Sequence, residues 1–254
     1  MLFALVSASL IGLTAGYLGS LMVTKKMGLS GGPLGHLALP GVALALMYHF
    51  DPFLGALLSI ILGGILVWLI QNKTQAPMEA ITGFVFVLGV SLGFWLLPFK
   101  NSEELEKALV GNINQINFSD TLLVVIFSLL VIFIISRIYP GLILMEISEN
   151  LAKNQGINIK KYNLLFLTAI TLIVALQVKL VGGLLPIALI VIPALTARNF
   201  AKTLKSYALG SAFVGLSSGA LGVYLSYLLN LKSGLLIILV ASAFFFLSLL
   251  WKKN

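Results

Sequence analysis

Residues 52–70 read PFLGALLSIILGGILVWLI, a run that contains no charged side chain. An α-helix needs about 20 consecutive, mainly apolar residues to cross the hydrocarbon core of a bilayer. A run of this length and composition predicts a transmembrane helix. The rest of the chain has to be interpreted around that helix.

Eight further apolar runs lie on both sides of this segment. They cover residues 1–23, 33–49, 80–97, 121–136, 164–180, 182–197, 207–229 and 234–251. The runs at 33–49 and 182–197 are short and contain prolines, so the expected number of transmembrane helices is eight or nine. No soluble domain fits between the runs. The sequence therefore predicts an all-α, polytopic integral membrane protein with one transmembrane domain over residues 1–254.

The composition indicates that lipid is the solvent of this protein. Hydrophobic residues make up 59% of the chain and charged residues 9%, whereas a soluble domain carries about 25% charged residues. On a soluble protein, a net charge of +8 would suggest that the protein binds nucleic acid. Here the basic residues lie at the ends of apolar runs, and no basic helix is interleaved with aromatic residues. We expect a lipid bilayer, and no nucleic acid, among the partners.

The positions of lysine and arginine predict the orientation, because cytoplasmic loops carry an excess of these residues. If Lys25 and Lys26 are cytoplasmic, 12 of the 16 basic residues lie on the cytoplasmic side. The other ten are Lys73, Arg137, Lys153, Lys160, Lys161, Arg198, Lys202, Lys205, Lys252 and Lys253. We expect an external N-terminus and a cytoplasmic C-terminus in the cell (inner or cytoplasmic) membrane.

Two loops are long enough to contain structure of their own. In the external loop, residues 102–109 have the pattern of a short helix that Gly111 would end. In the cytoplasmic loop, which is expected to cover residues 139–162, residues 146–155 predict a second short helix, with Gly156 at its C-terminal cap. Ile147 and Leu151 lie four residues apart and would give this helix a small apolar face. That face could dock a partner, or the segment could simply lie at the membrane interface.

No motif for catalysis accompanies the apolar runs. The chain has no phosphate-binding Gly-x-x-x-x-Gly-Lys-Ser/Thr loop, no His-Glu-x-x-His and no Gly-x-Ser-x-Gly. It has no cysteine and two histidines, which excludes thiolate metal sites and a multi-histidine zinc enzyme. We expect a protein that is not an enzyme and that carries no covalently bound cofactor.

His36 is a candidate for a site in the membrane, because ionisable groups at membrane depth usually have a function. Pro40 follows it by four residues and cannot donate a hydrogen bond to the carbonyl of His36. An imidazole and a free carbonyl would then lie together, which suits a passing cation. The alternative is a histidine that bonds a neighbouring helix, with Pro40 only bending the span.

Other candidates come from prolines and from a turn. Pro186 and Pro193 would free the carbonyls of Gly182 and Leu189, and broken helices at membrane depth can line a cavity. His49 and Asp51 lie at the external end of the second run. They could attract a cation at a pore mouth, although a solvated turn explains them equally well.

Four motifs in this order resemble those of the ABC-type zinc/manganese/iron permeases. The first is KKMGL at 25–29 followed by GGPLGHLALPGVA at 31–43, the second is LEKALVGNI at 105–113 and the third is LAKNQGI at 151–157. The fourth lies within residues 174–198 and includes Gln177-Val178, Val181-Gly182, Leu184-Leu185 and IPALTAR at 192–198. The resemblance covers nearly the whole chain.

The resemblance implies the membrane subunit of a metal importer with a type II-like ABC permease architecture. Such a permease forms a homodimer, binds ATP-binding subunits in the cytoplasm, and receives a transported divalent metal from an extracytoplasmic metal-binding protein. The family's coupling segment for the ATPase corresponds to Glu146, Ile147, Leu151, Ala152 and Gly156. The resemblance makes His36 a metal-contacting residue of the path.

Three positions depart from the family pattern: Pro33 and Gly35 replace Ala and Ser, and the most significant change is at Gly32. The family has an Asp four residues before the His, and here that residue is Gly32. Manganese prefers carboxylate oxygen, so this change weakens the case for manganese most, whereas two His36 side chains across a dimer could suit zinc or ferrous iron.

Three alternatives to a metal importer stay open. The chain could be an ABC permease whose substrate has changed. Gly32, in place of the family's Asp, is the reason to consider this alternative. It could be a secondary transporter or channel that works alone, although such carriers usually place carboxylates at mid-membrane. A membrane scaffold is the third alternative, but it gives no reason for the proline breaks.

Overall fold

The computed structural model describes residues 1–28, 31–74, 76–96, 116–181 and 186–250. Within these ranges the chain is helical and has no β-strand, as the sequence predicts. Eleven helices follow one another: α1 (Leu2–Thr24), α2 (Gly31–His36), α3 (Ala38–Tyr48), α4 (Pro52–Thr74), α5 (Met78–Leu96), α6 (Phe118–Ile147), α7 (Glu149–Asn154), α8 (Ile159–Val181), α9 (Pro186–Arg198), α10 (Leu204–Leu229) and α11 (Ser233–Leu249).

Six of the described helices are long and apolar enough to cross a membrane: α1, α4, α5, α6, α8 and α10. Three shorter apolar helical segments cover residues 33–48, 188–198 and 233–249. All nine coincide with the nine predicted runs, although the total of eight or nine crossings stays a prediction. The predicted helix at 102–109 lies outside the described residues.

Small residues hold α1 against α10. A side chain at Gly12 would overlap the carbonyl of Gly215, and a side chain at Gly16 would overlap the carbonyl of Ser211. Close approach of backbones through small residues is a common way for helices to associate in lipid, where the hydrophobic effect does not drive them together. α9 packs on the same pair, because Gly19 of α1 lies against Ile190.

A second group of helices consists of α3, α4 and α5 with the short α2. α3 and α4 form a hairpin whose backbones meet at Gly41 and Gly55. Leu37 fills the space beside Gly63 of α4 and Gly89 of α5. α8 lies between the two groups, since it contacts α4 through Thr171 and Gly64 and also packs on α1 and α6.

Large apolar side chains cover the outer surface of the bundle. On α4 and α5, Leu62, Phe94 and Trp95 are 65%, 65% and 80% exposed. The interior holds small residues and buried hydroxyl groups such as those of Ser7, Thr14 and Ser218. An outer surface of this kind is suited to lipid and not to water.

The structure corrects the predicted end of the fifth run. α6 continues past Ser136 and through Pro140 to Ile147, so residues 139–147 belong to a helix and not to a loop. Proline removes one backbone hydrogen bond, but packing can compensate in a long helix. Here Gly141 leaves room for the ring of Tyr162, which lies directly against the helix beside the proline.

Candidate translocation site and coupling segment

The second predicted span is broken at Leu37, one turn before Pro40. α2 ends at His36, α3 begins at Ala38, and the backbone N–H of Leu37 donates to the carbonyl of Leu34 at 3.2 Å. Because Pro40 has no N–H, the carbonyl of His36 cannot accept the usual helical bond from it. The break predicted from the proline is therefore present in the backbone.

The His36 side chain is half-buried and lies against α5. Its ring centroid is 5.4 Å from that of Phe86 on α5, with 52° between the ring planes. The short α2 that carries it packs against α5, α8 and α9. Within the described residues no hydrogen bond holds the imidazole, so the alternative of a histidine bonded to a neighbouring helix finds no support there. Gly32 lies one turn earlier on α2.

The two prolines of the fourth motif have different positions. Pro186 is the first residue of α9, and Gly182, whose carbonyl it was expected to free, lies outside the described residues. Pro193 lies inside α9, so the carbonyl of Leu189 has no helical donor. The backbone at Leu189 is thus a second place where a proline removes the usual helical donor, although α9 continues past it.

Gln177 was not singled out from the sequence as a candidate, although it is the only amide side chain in the run 164–180. It is fully buried on α8, and neither its amide nitrogen nor its amide oxygen has a hydrogen-bond partner among the described residues. A buried amide without partners costs about 1–3 kcal/mol. Gln177 is therefore a further polar group in the interior that sequence reasoning did not select.

His49 and Asp51 form a tight, exposed turn between α3 and α4. His49 has φ 56°, and the N–H of Phe50 donates to the carbonyl of Ala45 at 3.0 Å, which closes α3. Asp51 Oδ1 accepts from the backbone N–H of Phe53 at 2.7 Å and of Leu54 at 3.2 Å. The carboxylate therefore caps α4. In the described part of the chain, no group of three or more His, Asp or Glu side chains could hold a metal ion.

The predicted cytoplasmic helix has a later start than expected. Residues Glu146 and Ile147 belong to the end of α6, and Ser148 separates them from α7. Ser148 ends α6 and starts α7, because its extended backbone stops one helix and its Oγ accepts from the N–H of Leu151 at 3.4 Å. Residues 146–155 are thus not one helix, and the prediction was wrong in that respect.

The predicted end of the same helix is confirmed. Gly156 has φ 77°, and the N–H of Ile157 donates to the carbonyl of Ala152 at 3.0 Å. This is the left-handed turn that glycine favours after a helix. Ile147 and Leu151 are 72% and 52% exposed, whereas Ala152 is fully buried. We call residues 146–156 the coupling segment. Its two apolar side chains are available to a partner.

Lys25 follows the last residue of α1 and lies beside α8. Its Nζ is 5.9 Å from the centre of the Phe166 ring on α8. Partial burial lowers the pKa of the Lys25 ammonium, and the nearby carboxylates of Glu146 and Glu149 act in the opposite direction. The sequence contains the lysine but gives no indication of these neighbours, which come from three other helices.

A model of the ABC 3 transport family matches residues 1–252. The chain belongs to the ABC 3 transport family. It is therefore the membrane-spanning permease subunit of an ABC transporter and not itself an enzyme, since ATP hydrolysis belongs to a separate subunit. The resemblance found in the four motifs is confirmed.

Relatives of the permease match over nearly their whole lengths. The manganese transport system membrane protein MntC of Listeria monocytogenes is 28% identical over 98% of this chain and 89% of its own. The high-affinity zinc uptake system membrane protein ZnuB of Haemophilus influenzae is 31% identical over 99% and 97%. The solved structure of PsaBC from Streptococcus pneumoniae in complex with Fab superposes with a TM-score of 0.81 at 29% identity, over 96% of this chain and 89% of that chain.

Proposed function

We propose that this permease imports a divalent metal ion, with energy from a separate ATP-binding subunit. The observation that carries the proposal is the match to manganese and zinc permeases over almost the entire chain. Manganese and zinc are the first candidates, and ferrous iron is the third. The metal is the transported substrate and not a resident cofactor of the protein.

We propose that the ion passes the helix break at His36 and Pro40. The half-buried imidazole and the carbonyl that Pro40 leaves free supply one nitrogen and one oxygen ligand at membrane depth. Imidazole suits zinc and iron, whereas manganese prefers carboxylate oxygen. The carbonyl of Leu189, which Pro193 leaves without its helical donor, and Pro186 at the start of α9 belong to the same path. His49 and Asp51 contribute at most an exposed charge at its mouth.

A path with so few ligands binds its ion weakly. Conduction requires that a site be strong enough to admit an ion and weak enough to release it. In a homodimer of the permease, a second His36 would add an imidazole to the path. We propose this arrangement because Gly32 supplies no carboxylate. An ABC permease of changed substrate is the second candidate function, and Gly32 is also the observation that favours it.

We propose that the coupling segment binds the ATP-binding subunit. Its support is the pair of exposed apolar side chains, Ile147 and Leu151, beside a helix that is capped at both ends. An extracytoplasmic metal-binding protein delivers the ion on the opposite side. The distribution of lysine and arginine supports a cell-membrane location with the N-terminus outside and the C-terminus in the cytoplasm, and residues 1–254 form one transmembrane domain.

The test is metal uptake by the complete transporter in vesicles, with and without this chain. We expect uptake of radioactive zinc or manganese that needs this permease, the ATP-binding subunit and ATP. A complete and folded assembly could take up no zinc, manganese or ferrous iron in the presence of ATP. That result would favour the changed-substrate alternative. Uptake without the ATP-binding subunit would favour a transporter that works alone.

A further inference from the structure

A surface groove of about 560 Å³ lies along the first turns of α10. Its lining comes from the connection that precedes the helix and from one face of the helix itself, and it includes Phe200, Lys205, Ser206, Leu209 and Phe213. The last three of these recur at intervals of three and four residues, so they lie above one another on that face. From Lys205 to Phe213 the helix rises about 12 Å. The groove is therefore long and narrow, and it runs in the direction of the helix axis.

Phe200 forms one wall of the groove, because α10 has no side chain at Gly210. A Cβ at Gly210 would lie 3.1 Å from the Phe200 ring and 3.3 Å from the Cβ of Ala197 at the end of α9. The ring therefore lies directly against the α10 backbone, and it remains 44% exposed. This wall is apolar and aromatic.

Hydrogen bonds fix the connection between α9 and α10, so the groove has its shape without a ligand. Asn199 Nδ2 donates to Ser248 Oγ of α11 at 2.8 Å, which ties the connection to a third helix. Thr203 Oγ1 accepts from the backbone N–H of Ser206 at 3.1 Å and caps α10. A preformed groove binds a ligand with a smaller loss of conformational entropy than a flexible one.

The groove is polar at one end and apolar at the other. Thr203, Lys205 and Ser206, at the start of α10, supply two hydroxyl groups and an ammonium group. Leu209 and Phe213 lie further along the helix and are 57% and 69% exposed. Because α10 is long and apolar enough to cross a membrane, its basic first turn belongs at the membrane surface and the following turns belong in the hydrocarbon. This order of groups matches a molecule with a polar headgroup and an acyl chain.

The charge at the polar end is positive and is not balanced by nearby acidic residues in the sequence. Arg198 ends α9, Lys202 lies in the connection, and Lys205 lines the groove. The chain has no Asp or Glu after Glu149, and within the described residues none of the three cations forms an ion pair. Basic pockets between transmembrane helices bind the headgroups of anionic lipids. The charge therefore selects an anionic headgroup over a neutral one.

We propose that this groove binds one anionic phospholipid, with the phosphate at Lys205 and an acyl chain along Leu209 and Phe213. The ammonium group and the hydroxyl groups of Thr203 and Ser206 donate hydrogen bonds to the phosphate oxygens. The acyl chain fills the groove against the Phe200 ring. In the proposed orientation of the permease, the lipid belongs to the cytoplasmic leaflet. The inference depends on α10 as a membrane-spanning helix, and not on the identity of the transported ion or on the coupling segment.

The experiment titrates the complete transporter in detergent with phosphatidylglycerol and counts the bound lipids by native mass spectrometry. We expect one phosphatidylglycerol per permease to bind more tightly than phosphatidylcholine, whose headgroup has no net charge. The usual contribution of one lysine near an anionic membrane corresponds to a factor of about five. Lys205→Gln should therefore weaken the binding of phosphatidylglycerol about fivefold and leave that of phosphatidylcholine unchanged. Lys232→Gln is the matched control, because it removes an exposed lysine at the start of α11 and should leave both affinities unchanged.

A second variant tests the acyl chain and keeps the experiment decisive if Lys205→Gln does not fold. Leu209→Ala combined with Phe213→Ala removes the exposed apolar side chains of the groove and should weaken the binding of phosphatidylglycerol severalfold. Glycerol phosphate, which has the phosphate without acyl chains, should not displace the lipid at equal concentration. Displacement by glycerol phosphate would overturn the inference, because the groove would then bind phosphate and not a lipid.

Other outcomes also overturn the inference. Equal affinity of the wild-type permease for the two lipids does so, as does unchanged binding of phosphatidylglycerol in folded Lys205→Gln or in the folded double variant. An equal loss in Lys202→Gln, whose side chain does not line the groove, would indicate a diffuse positive surface and not a site. Loss of the ATP-binding subunit from Lys205→Gln, with lipid binding unchanged, would assign the groove to that subunit instead.

Discussion

Gly12 shows how strongly the packing of the bundle depends on a missing side chain. Any Cβ at this position would overlap the carbonyl oxygen of Gly215, a backbone atom that cannot rotate away. Side chains of ordinary size at Gly12 would separate α1 from α10. The same two helices approach closely at Gly16 and Gly219, so a separation at one point affects the others.

We therefore expect Gly12→Ala to destabilise the permease by about 1–3 kcal/mol, which is the usual cost of forcing extra volume into a packed interior. The measurement is the thermal unfolding midpoint in detergent, which should fall by about 2–4 °C for each kcal/mol. Gly83→Ala is the matched control, because a Cβ at Gly83 of α5 would meet no atom within 4 Å. An equal decrease in both variants would contradict the assigned contact.

His36 allows a second prediction at the scale of one residue. Mutation of a residue that hydrogen-bonds a metal ligand lowers metal affinity or activity about 10–100-fold. Mutation of the ligand itself should lower it at least as much. We expect His36→Ala to reduce metal uptake at least about tenfold without loss of folding. His49→Ala is the comparison, since His49 is exposed in the turn between α3 and α4. Normal uptake in His36→Ala would remove this residue from the path.

At the scale of one element, the coupling segment shows what could and could not be predicted from the sequence. Gly156 predicted the end of α7 correctly, because a glycine after a short amphipathic run is a strong local signal. The start of α7 was misplaced, because the apolar run was expected to end at Ser136, whereas the helix continues through Pro140 to Ile147 and packs against Tyr162 at Gly141. Contacts between distant helices decide such cases, and a single sequence does not contain them. The neighbours of Lys25 and the enclosure of Gln177 were missed for the same reason.

The docking prediction belongs to this element. We expect Ile147→Ala combined with Leu151→Ala to abolish co-purification of the ATP-binding subunit, because the variant removes both exposed apolar side chains of the segment. The control is Ile126→Ala combined with Leu129→Ala, which removes two comparably exposed side chains from the middle of α6. Association should persist in the control. Unchanged association in both double variants contradicts docking at the segment.

At the scale of the whole molecule, the architecture follows from hydropathy with little ambiguity. A backbone in hydrocarbon must satisfy its hydrogen bonds within each helix, so long apolar runs become helices whatever their neighbours are. All nine runs accordingly appear as apolar helices, six of them long enough to cross a bilayer. The preference for one ion is different, because it depends on a few side chains whose mutual positions are set by the assembled bundle.

Selectivity provides the prediction at this scale. We expect Gly32→Asp to shift preference toward manganese, because it places a carboxylate one helical turn before His36. The measurement is the ratio of manganese to zinc uptake by the complete transporter, which should rise severalfold. Gly32→Asn adds a side chain of nearly the same shape without the charge and should have a smaller effect. An unchanged ratio in Gly32→Asp would count against a metal path at α2.

The hairpin of α3 and α4 has a geometric consequence for gating. Its helices are joined by only three residues, 49–51, and their backbones touch at Gly41 and Gly55. Ala38, the first residue of α3, lies 11 residues from His49, a distance of about 16 Å at 1.5 Å per residue. A tilt of the hairpin by about 10° around its tip would then move the start of α3 by about 3 Å. In the proposed path, a slight rocking of one hairpin would therefore shift the backbone next to His36 by more than a zinc–nitrogen bond of about 2 Å.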